Sequence, residues 1–374
     1  MTVKEEARLF VMTLLSVPGV AQWRTPTEFD APGASKEYSS VCANAFLGFL
    51  GCGTTPLANN DLGAVVGVYS DTKVVLHGFL RGPDGRILPL DAPNAGSQPG
   101  QGTAAYAIND LGVIAGTFQD SSNIYHGFLR YPGGFFETID APSPYPGSGA
   151  QQGTLVTNVN LEGAVAGSYI DSTGMNHGFV LSRDKKFASF DPTGSVFTYP
   201  CEETCLAQDG TVVGFFADSS GTAHGFLREP DGNILTLDAP PALSGLGTVA
   251  ASINPEGAIT GYSVDSGNVA HGFVLIRGSF AMYEDPKAST TTNGAGTAGF
   301  SINIVGAITG AYWDASLVAH GFERDVFGNF ISINAPDAGT GAGQGTRPST
   351  NNAWGAVAGW YIDAKGVNHG FIWE

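Results

Sequence analysis

Asn109-Asp110-Leu111-Gly112-Val113-Ile114-Ala115-Gly116-Thr117-Phe118-Gln119-Asp120 is followed, six residues after Asp120, by His126-Gly127-Phe128-Leu129-Arg130, and this pair of phrases recurs along the chain. The seven histidines of the sequence, His77, His126, His177, His224, His271, His320 and His369, are each followed by Gly-Phe. They are spaced by 49, 51, 47, 47, 49 and 49 residues. A period of that size is the mark of a propeller or a solenoid.

Each repeat holds four short strand-like runs. The first leads into Asn-x-x-Gly, the second follows that glycine, the third carries His-Gly-Phe and the fourth ends in Asp-Ala-Pro or a close variant. Four strands is the content of one propeller blade. The ends of the chain separate a closed ring from an open array. The last repeat stops at His369-Gly370-Phe371-Ile372-Trp373-Glu374, one strand short, and Thr27-Glu28-Phe29-Asp30-Ala31-Pro32 supplies the missing run at the other end. Fourth runs therefore end at Asp30, Asp91, Asp140, Asp191, Asp238, Asp285 and Asn334. The expectation is an all-β, seven-bladed β-propeller, four strands per blade. Its N-terminal strand completes the last blade and removes an exposed edge.

These phrases resemble the bacterial extracellular repeats named for a His-Ala-Phe motif, with Gly standing where that family has Ala. The similarity covers nearly the whole chain after residue 23. It implies export and a β-rich repeat fold, and it carries no catalytic residues with it.

Composition narrows the partners. Seventeen Lys and Arg against 34 Asp and Glu give a net charge of −17, and no basic cluster is present to meet a phosphate backbone, so nucleic acid is not expected. Residues 1–21 read as a secretory signal peptide: Lys4 and Arg8, an apolar run from Leu9 to Ala21, and small residues at Gly19 and Ala21. Residues 22–374 then form one domain, secreted or held in the cell envelope, with no membrane span and expected as a monomer. Four cysteines form two local pairs, Cys42 with Cys52 and Cys201 with Cys205, read as disulfides in an exported protein.

An Asp lies six residues before every histidine: Asp71, Asp120, Asp171, Asp218, Asp265, Asp314 and Asp363. His with carboxylate is the chemistry of a general base or a metal ligand, but a site is needed once, and seven copies around a ring point to the scaffold. Each Asp is expected to cap a turn, and each His to bond within its own blade. No metal and no cofactor are expected.

Function is sought where the repeat breaks. The loop 33–53 is longer than its counterparts and carries Phe46 and Phe49. The fourth repeat has Cys201-Glu202-Glu203-Thr204-Cys205 where the others open their first strand, which would set Glu202 and Glu203 near a channel mouth as candidate acids. Gln101, Gln152 and Gln344 precede Gly-Thr, Arg347 follows it once, and Tyr106, Tyr125 and Trp313 are aromatics outside the repeat pattern. Amide and guanidinium donors with aromatic faces suit a sugar-like or small organic ligand. The expectation is a binding propeller whose partner is a small molecule or glycan, or a protein. The alternative is a cofactor-independent enzyme on the same face: a carbohydrate-active hydrolase or lyase, or a cyclase acting on an apolar substrate beneath the 33–53 loop.

Overall fold

The computed structural model describes residues 24–40, 51–143, 145–200, 204–240 and 247–374. Every helix-or-strand element among them is a β-strand, 28 in number. The signal segment 1–21, Cys42, Phe46, Phe49, Cys201, Glu202 and Glu203 lie outside the described residues.

The second repeat shows the construction. Gly102–Ile108 pairs antiparallel with Ile114–Gln119, which pairs with Tyr125–Arg130, which pairs with Phe136–Ile139. The last repeat has three such strands, Gly345–Asn351, Val357–Ile362 and Asn368–Trp373, and Thr27–Phe29 adds the fourth, with Thr27 opposite Ile372 and Phe29 opposite Gly370. Single parallel contacts join neighbouring repeats, such as Leu76 with Gly102 and Ala319 with Gly345. The contact of Gly53 with Asn368 brings the first repeat against the last. Pairing gathers the strands into a 16-stranded and a 12-stranded sheet.

A belt of asparagines runs between repeats. In Asn-x-x-Gly the Asn Oδ1 accepts N–H bonds from its own turn, as Asn109 does from Leu111 and Val113. Its Nδ2 then donates to the backbone carbonyl at the same place in the next repeat. Asn60 reaches Asn109, Asn109 reaches Asn160 and Asn160 reaches Ala207; Asn254 reaches Asn303, Asn303 reaches Asn352, and Asn352 returns to Asn60, all at 2.9–3.1 Å. Only the fourth repeat, with Ala207, lacks the amide to continue the belt. The turn glycine has φ between 73° and 92° in all seven repeats, from Gly63 to Gly355, a region that costs a side chain 1 kcal/mol or more, on the order of magnitude usual for left-handed backbone.

The phenylalanine of each His-Gly-Phe is the centre of the core. Phe79, Phe128, Phe179, Phe226, Phe273, Phe322 and Phe371 are all fully buried. Their rings lie over the mid-strand glycine of the second strand: a Cβ on Gly116 would stand 2.6 Å from the Phe128 ring and against the Ala104 carbonyl. The glycine is thus the socket for the ring. Arginines on third strands tie repeats together from outside, Arg228 lying 5.2 Å over Phe190 and Arg81 5.1 Å over Phe29.

The fifth repeat corrects the expected register by one residue. Its fourth strand is Ser279–Tyr283, so Glu284, not Asp285, holds the place of Asp91. Asp285 is buried and its N–H donates to Thr297, the bond made elsewhere by the alanine of Asp-Ala-Pro, as Ala92 makes it to Thr103.

The turn between second and third strands stores strain at two places. Its fourth residue is left-handed, with φ of 65° at Val74 and 60° at Leu317, while Asn123 and Asn268 take the same conformation. Asn tolerates it and a β-branched residue does not. Val74→Asn is therefore expected to raise stability by about 1 kcal/mol, read as a higher urea midpoint with an unchanged slope.

Candidate functional site

Seven histidine clamps built on one plan occupy the end of the molecule where each first strand begins. Asp71 Oδ1 accepts the N–H groups of Lys73 and Val75 at 2.8 and 2.9 Å, and Asp120, Asp171, Asp218, Asp265, Asp314 and Asp363 hold their turns in the same way. Each histidine sits between that Asp and the group at the end of the fourth strand. His77 Nδ1 bonds Asp91 at 3.0 Å with Nε2 3.7 Å from Asp71; His126 bonds Asp140, His177 Asp191, His224 Asp238, His369 Asp30, His320 Asn334 and His271 Glu284. In six repeats an aromatic ring stacks on the imidazole at 4.9–5.0 Å, as Tyr69 does on His77. The fifth repeat has Ser263 opposite His271 instead.

These stacks set a pH dependence. Hydrogen bonds from Asp91, Asp140 and Asp30 raise the pKa of His77, His126 and His369 above the ordinary 6.5, against burial that lowers it. At His177 and His224 burial opposes the shift most, and Asp191 and Asp238 overcome it. A raised histidine stabilises fully below its unfolded value and loses that contribution as pH rises through its folded value. The turn carboxylates run the other way: the Ser220 hydroxyl holds Asp218 down to about 2, and Asp265 and Asp314 are lowered by turn N–H groups. They stabilise above the ordinary 3.8 and lose that contribution as pH falls through their folded values. The melting temperature is therefore expected to peak in the mildly acidic range and to fall both toward pH 2 and through neutrality. A flat profile from pH 5 to 8 would contradict this.

The glutamines serve the loops. Gln101 Oε1 accepts the N–H of Gln98 and its Nε2 donates to Asn123; Gln152 and Gln344 accept from Gly149 and Gly341. Tyr106 and Tyr125 are buried in one cluster with Val68, Leu76, Ala104, Leu155 and Ile170, which removes them from the surface expected of a ligand platform. In the fourth repeat the first strand is Ser195–Pro200, paired with Val212–Asp218, so it begins before Cys201, not at it. Glu202 and Glu203 themselves lie outside the described residues. Thr204 bonds Ser252 and the 253 amide, on the side of the asparagine belt. Cys52 and Cys205 are buried.

Arg347 and Trp313 are brought together. The Arg347 guanidinium lies 5.0 Å from the Trp360 ring and 5.7 Å from the Trp313 ring. Trp360 is its cross-strand neighbour, and Trp313 comes from the preceding repeat. Nη2 donates to the Gly343 carbonyl at 3.3 Å. Burial pushes its pKa down.

This cluster belongs to a lopsided channel mouth. In the first three repeats the second strands Val65–Ser70, Ile114–Gln119 and Val165–Ile170 are buried at every position. In the last four, Phe215, Tyr262, Trp313 and Trp360 are half-exposed on those strands, and Val249, Phe300 and Arg347 are half-exposed on first strands. Phe215, Tyr262 and Trp360 hold one register position, opposite Tyr199, Val249 and Arg347. Phe197, Tyr199 and Phe215 stack on one another at 5.9–6.0 Å. Sequence reasoning missed Phe215, Tyr262 and Phe300. The residue after the mid-strand glycine, small in Thr117, Ser168 and Ala311 but aromatic in Phe215, Tyr262 and Trp360, was the available signal. Aromatic faces with one cation can stack on a ring and hold its oxygens. Among the described residues no group of three or more His, Cys, Asp or Glu could hold a metal ion, and no helix is long and apolar enough to cross a membrane.

No protein-family model matches the chain, and no curated protein matches it in sequence. Solved structures do match its backbone. A lectin from Burkholderia pseudomallei superposes with a TM-score of 0.53 at 12% identity, over 85% of this chain and 94% of the lectin. Puromycin hydrolase superposes with a TM-score of 0.51 at 13% identity, over 88% of this chain. The chain spans only 54% of that hydrolase. With the repeated, helix-free strand units, these likenesses settle the architecture. The fold is a β-propeller. At such identities the propeller is all that is shared with either protein.

Proposed function

We propose that this chain is an exported, seven-bladed propeller that binds a small ring-bearing ligand at the Trp313–Arg347–Trp360 cluster. In this reading each four-stranded run is one blade and Thr27–Phe29 completes the last. Residues 1–21 are removed on export, Cys42–Cys52 and Cys201–Cys205 are disulfides, and the repeats are related to the His-Ala-Phe group. The described start of the 33–53 loop is held at this end of the strands, the Ser35 N–H donating to the Ser70 carbonyl.

The carrying observation is the guanidinium held between two indoles on the half-exposed side of the mouth. Elsewhere in the last four repeats Phe215, Tyr262 and Phe300 are half-exposed aromatic faces. Aromatic faces with one cation suit the binding of a ring. A monosaccharide and small-acid panel, screened by thermal shift, tests it. Hits should stabilise the wild type and lose about 10-fold or more in affinity in Trp360→Ala. Hits unaffected by both Trp360→Ala and Trp313→Ala would refute the site.

A further inference from the structure

Among the described residues no acid pairs with the charge of Arg347. Its guanidinium carbon lies 5.7 Å from the Trp313 ring and 5.0 Å from the Trp360 ring. Among the described residues no carboxylate oxygen lies within the 4.0 Å of an ion pair, and burial alone accounts for its lowered pKa. Arg81 and Arg228 are also pulled down by burial, but acids oppose it there, Glu374 and Asp84 for the first and Asp231 for the second. Arg347 has no such counterweight in a chain of 34 acidic residues. Its Nε is buried without a hydrogen-bond partner, as are those of Arg81, Arg228 and Arg324, and its Nη2 donates to one backbone carbonyl, that of Gly343. A half-buried cation costs free energy unless an anion or strong acceptor meets it.

Gly343 has a φ of 81°, and a Cβ built there would meet nothing within 4 Å. The flanking Gly341 is fixed by its bond to Gln344, and Gly343 N–H by its bond to the Leu317 carbonyl. The loop that receives the Arg347 Nη2 bond is thus pinned and bare of side chains at Gly341 and Gly343.

We infer that the ligand of this face is an anion: a ring compound bearing a carboxylate, which the edge of Arg347 receives while Trp360, Trp313 or the adjoining aromatics take the ring. The inference rests on the binding-site reading above and adds the charge of the ligand. Arg347 then acts as more than a spacer between indoles. It is the element that separates acidic from neutral members of one ligand class, because a neutral hydroxymethyl group in place of the carboxylate leaves the cation uncompensated.

Matched pairs provide the test: glucuronate with glucose, galacturonate with galactose, and benzoate with benzamide, each titrated calorimetrically into the full chain at low and at 0.5 M salt. At least one acid should bind about 10-fold or more tighter than its neutral partner, as a charge-assisted hydrogen bond requires. Arg347→Gln should erase that ratio without lowering the melting temperature, and Arg347→Lys should restore only part of it. High salt should weaken the acid and leave the neutral compound unchanged. Neutral members binding as tightly as their acids, with binding lost in Trp360→Ala, would overturn the anionic ligand and keep the binding site. Acids that bind equally well to Arg347→Gln, or no binding by any acid of the three pairs, would overturn the proposal itself.

Discussion

Deleting residues 24–32 should leave a chain that melts more than about 10 °C below the full protein and associates through its exposed edge. The segment is small, yet it closes the ring. Thr27–Phe29 covers the outer edge of Asn368–Trp373, Ala31 is buried, and Asp30 holds His369. Phe29 lies edge-on to Phe79 at 6.1 Å and under Arg81, both of the first repeat, so it spans the seam between the two ends of the chain. Arg24 covers the Trp373 ring at 5.0 Å, and its carbonyl receives the indole N–H. Removing these contacts exposes a full row of unpaired backbone groups. A synthetic peptide of residues 22–33 added to the truncated chain should recover part of the lost midpoint, since the edge is left intact to accept it. A truncated chain that stays monomeric with the wild-type midpoint would contradict the closure.

Phe226→Ala should cost about 3–5 kcal/mol, the range for a fully buried aromatic whose cavity cannot collapse. The ring is fully buried. It packs edge-on to Phe190 of the preceding repeat at 5.6 Å, and Gly214 beneath it is pinned against the Tyr199 carbonyl. The surrounding sheet is hydrogen-bonded on both sides and cannot move in to fill the void. Phe327→Ala is the control: that ring is 79% exposed, and its removal should change stability by less than about 0.5 kcal/mol. Chemical denaturation of both variants separates the two cases.

The repeat was legible because its structural bonds are made six or seven times over. A histidine held between its turn Asp and the group ending the fourth strand, with a phenylalanine two places on, leaves a fixed spacing that no single copy would have revealed. The closing strand was legible because Phe29-Asp30-Ala31-Pro32 repeats the phrase that every other blade uses to hold its histidine. The asparagine belt was not, since Asn109 spends its amide on a backbone carbonyl in the next repeat, and a carbonyl has no residue type to recognise. The slip at Glu284 came from Asp285-Pro286 imitating the Asp-x-Pro ending, while a hairpin one residue shorter, with Gly272 facing Tyr283 where Gly78 faces Leu90, moved the histidine's partner back by one. At the mouth, Arg347 and Trp313 stood out as departures from the repeat. Tyr106 and Tyr125 stood out equally and proved to be core, because an aromatic in a strand carries no sign of which side of a lopsided channel it faces. Phe215 and Tyr262 passed unnoticed for the same reason.

The sharpest check on the location of the binding face compares tryptophans at its two ends. Trp354, 79% exposed, stands on the Asn-x-x-Gly turn of the last repeat, on the asparagine-belt side, whereas Trp313 and Trp360 flank Arg347 at the opposite end of the strands. For any ligand found by titration calorimetry, the double variant Trp313→Ala, Trp360→Ala should lose about 100-fold or more in affinity, and Trp354→Ala should bind as the wild type does. Binding that survives the double variant and disappears in Trp354→Ala would place the site on the asparagine side and contradict the account.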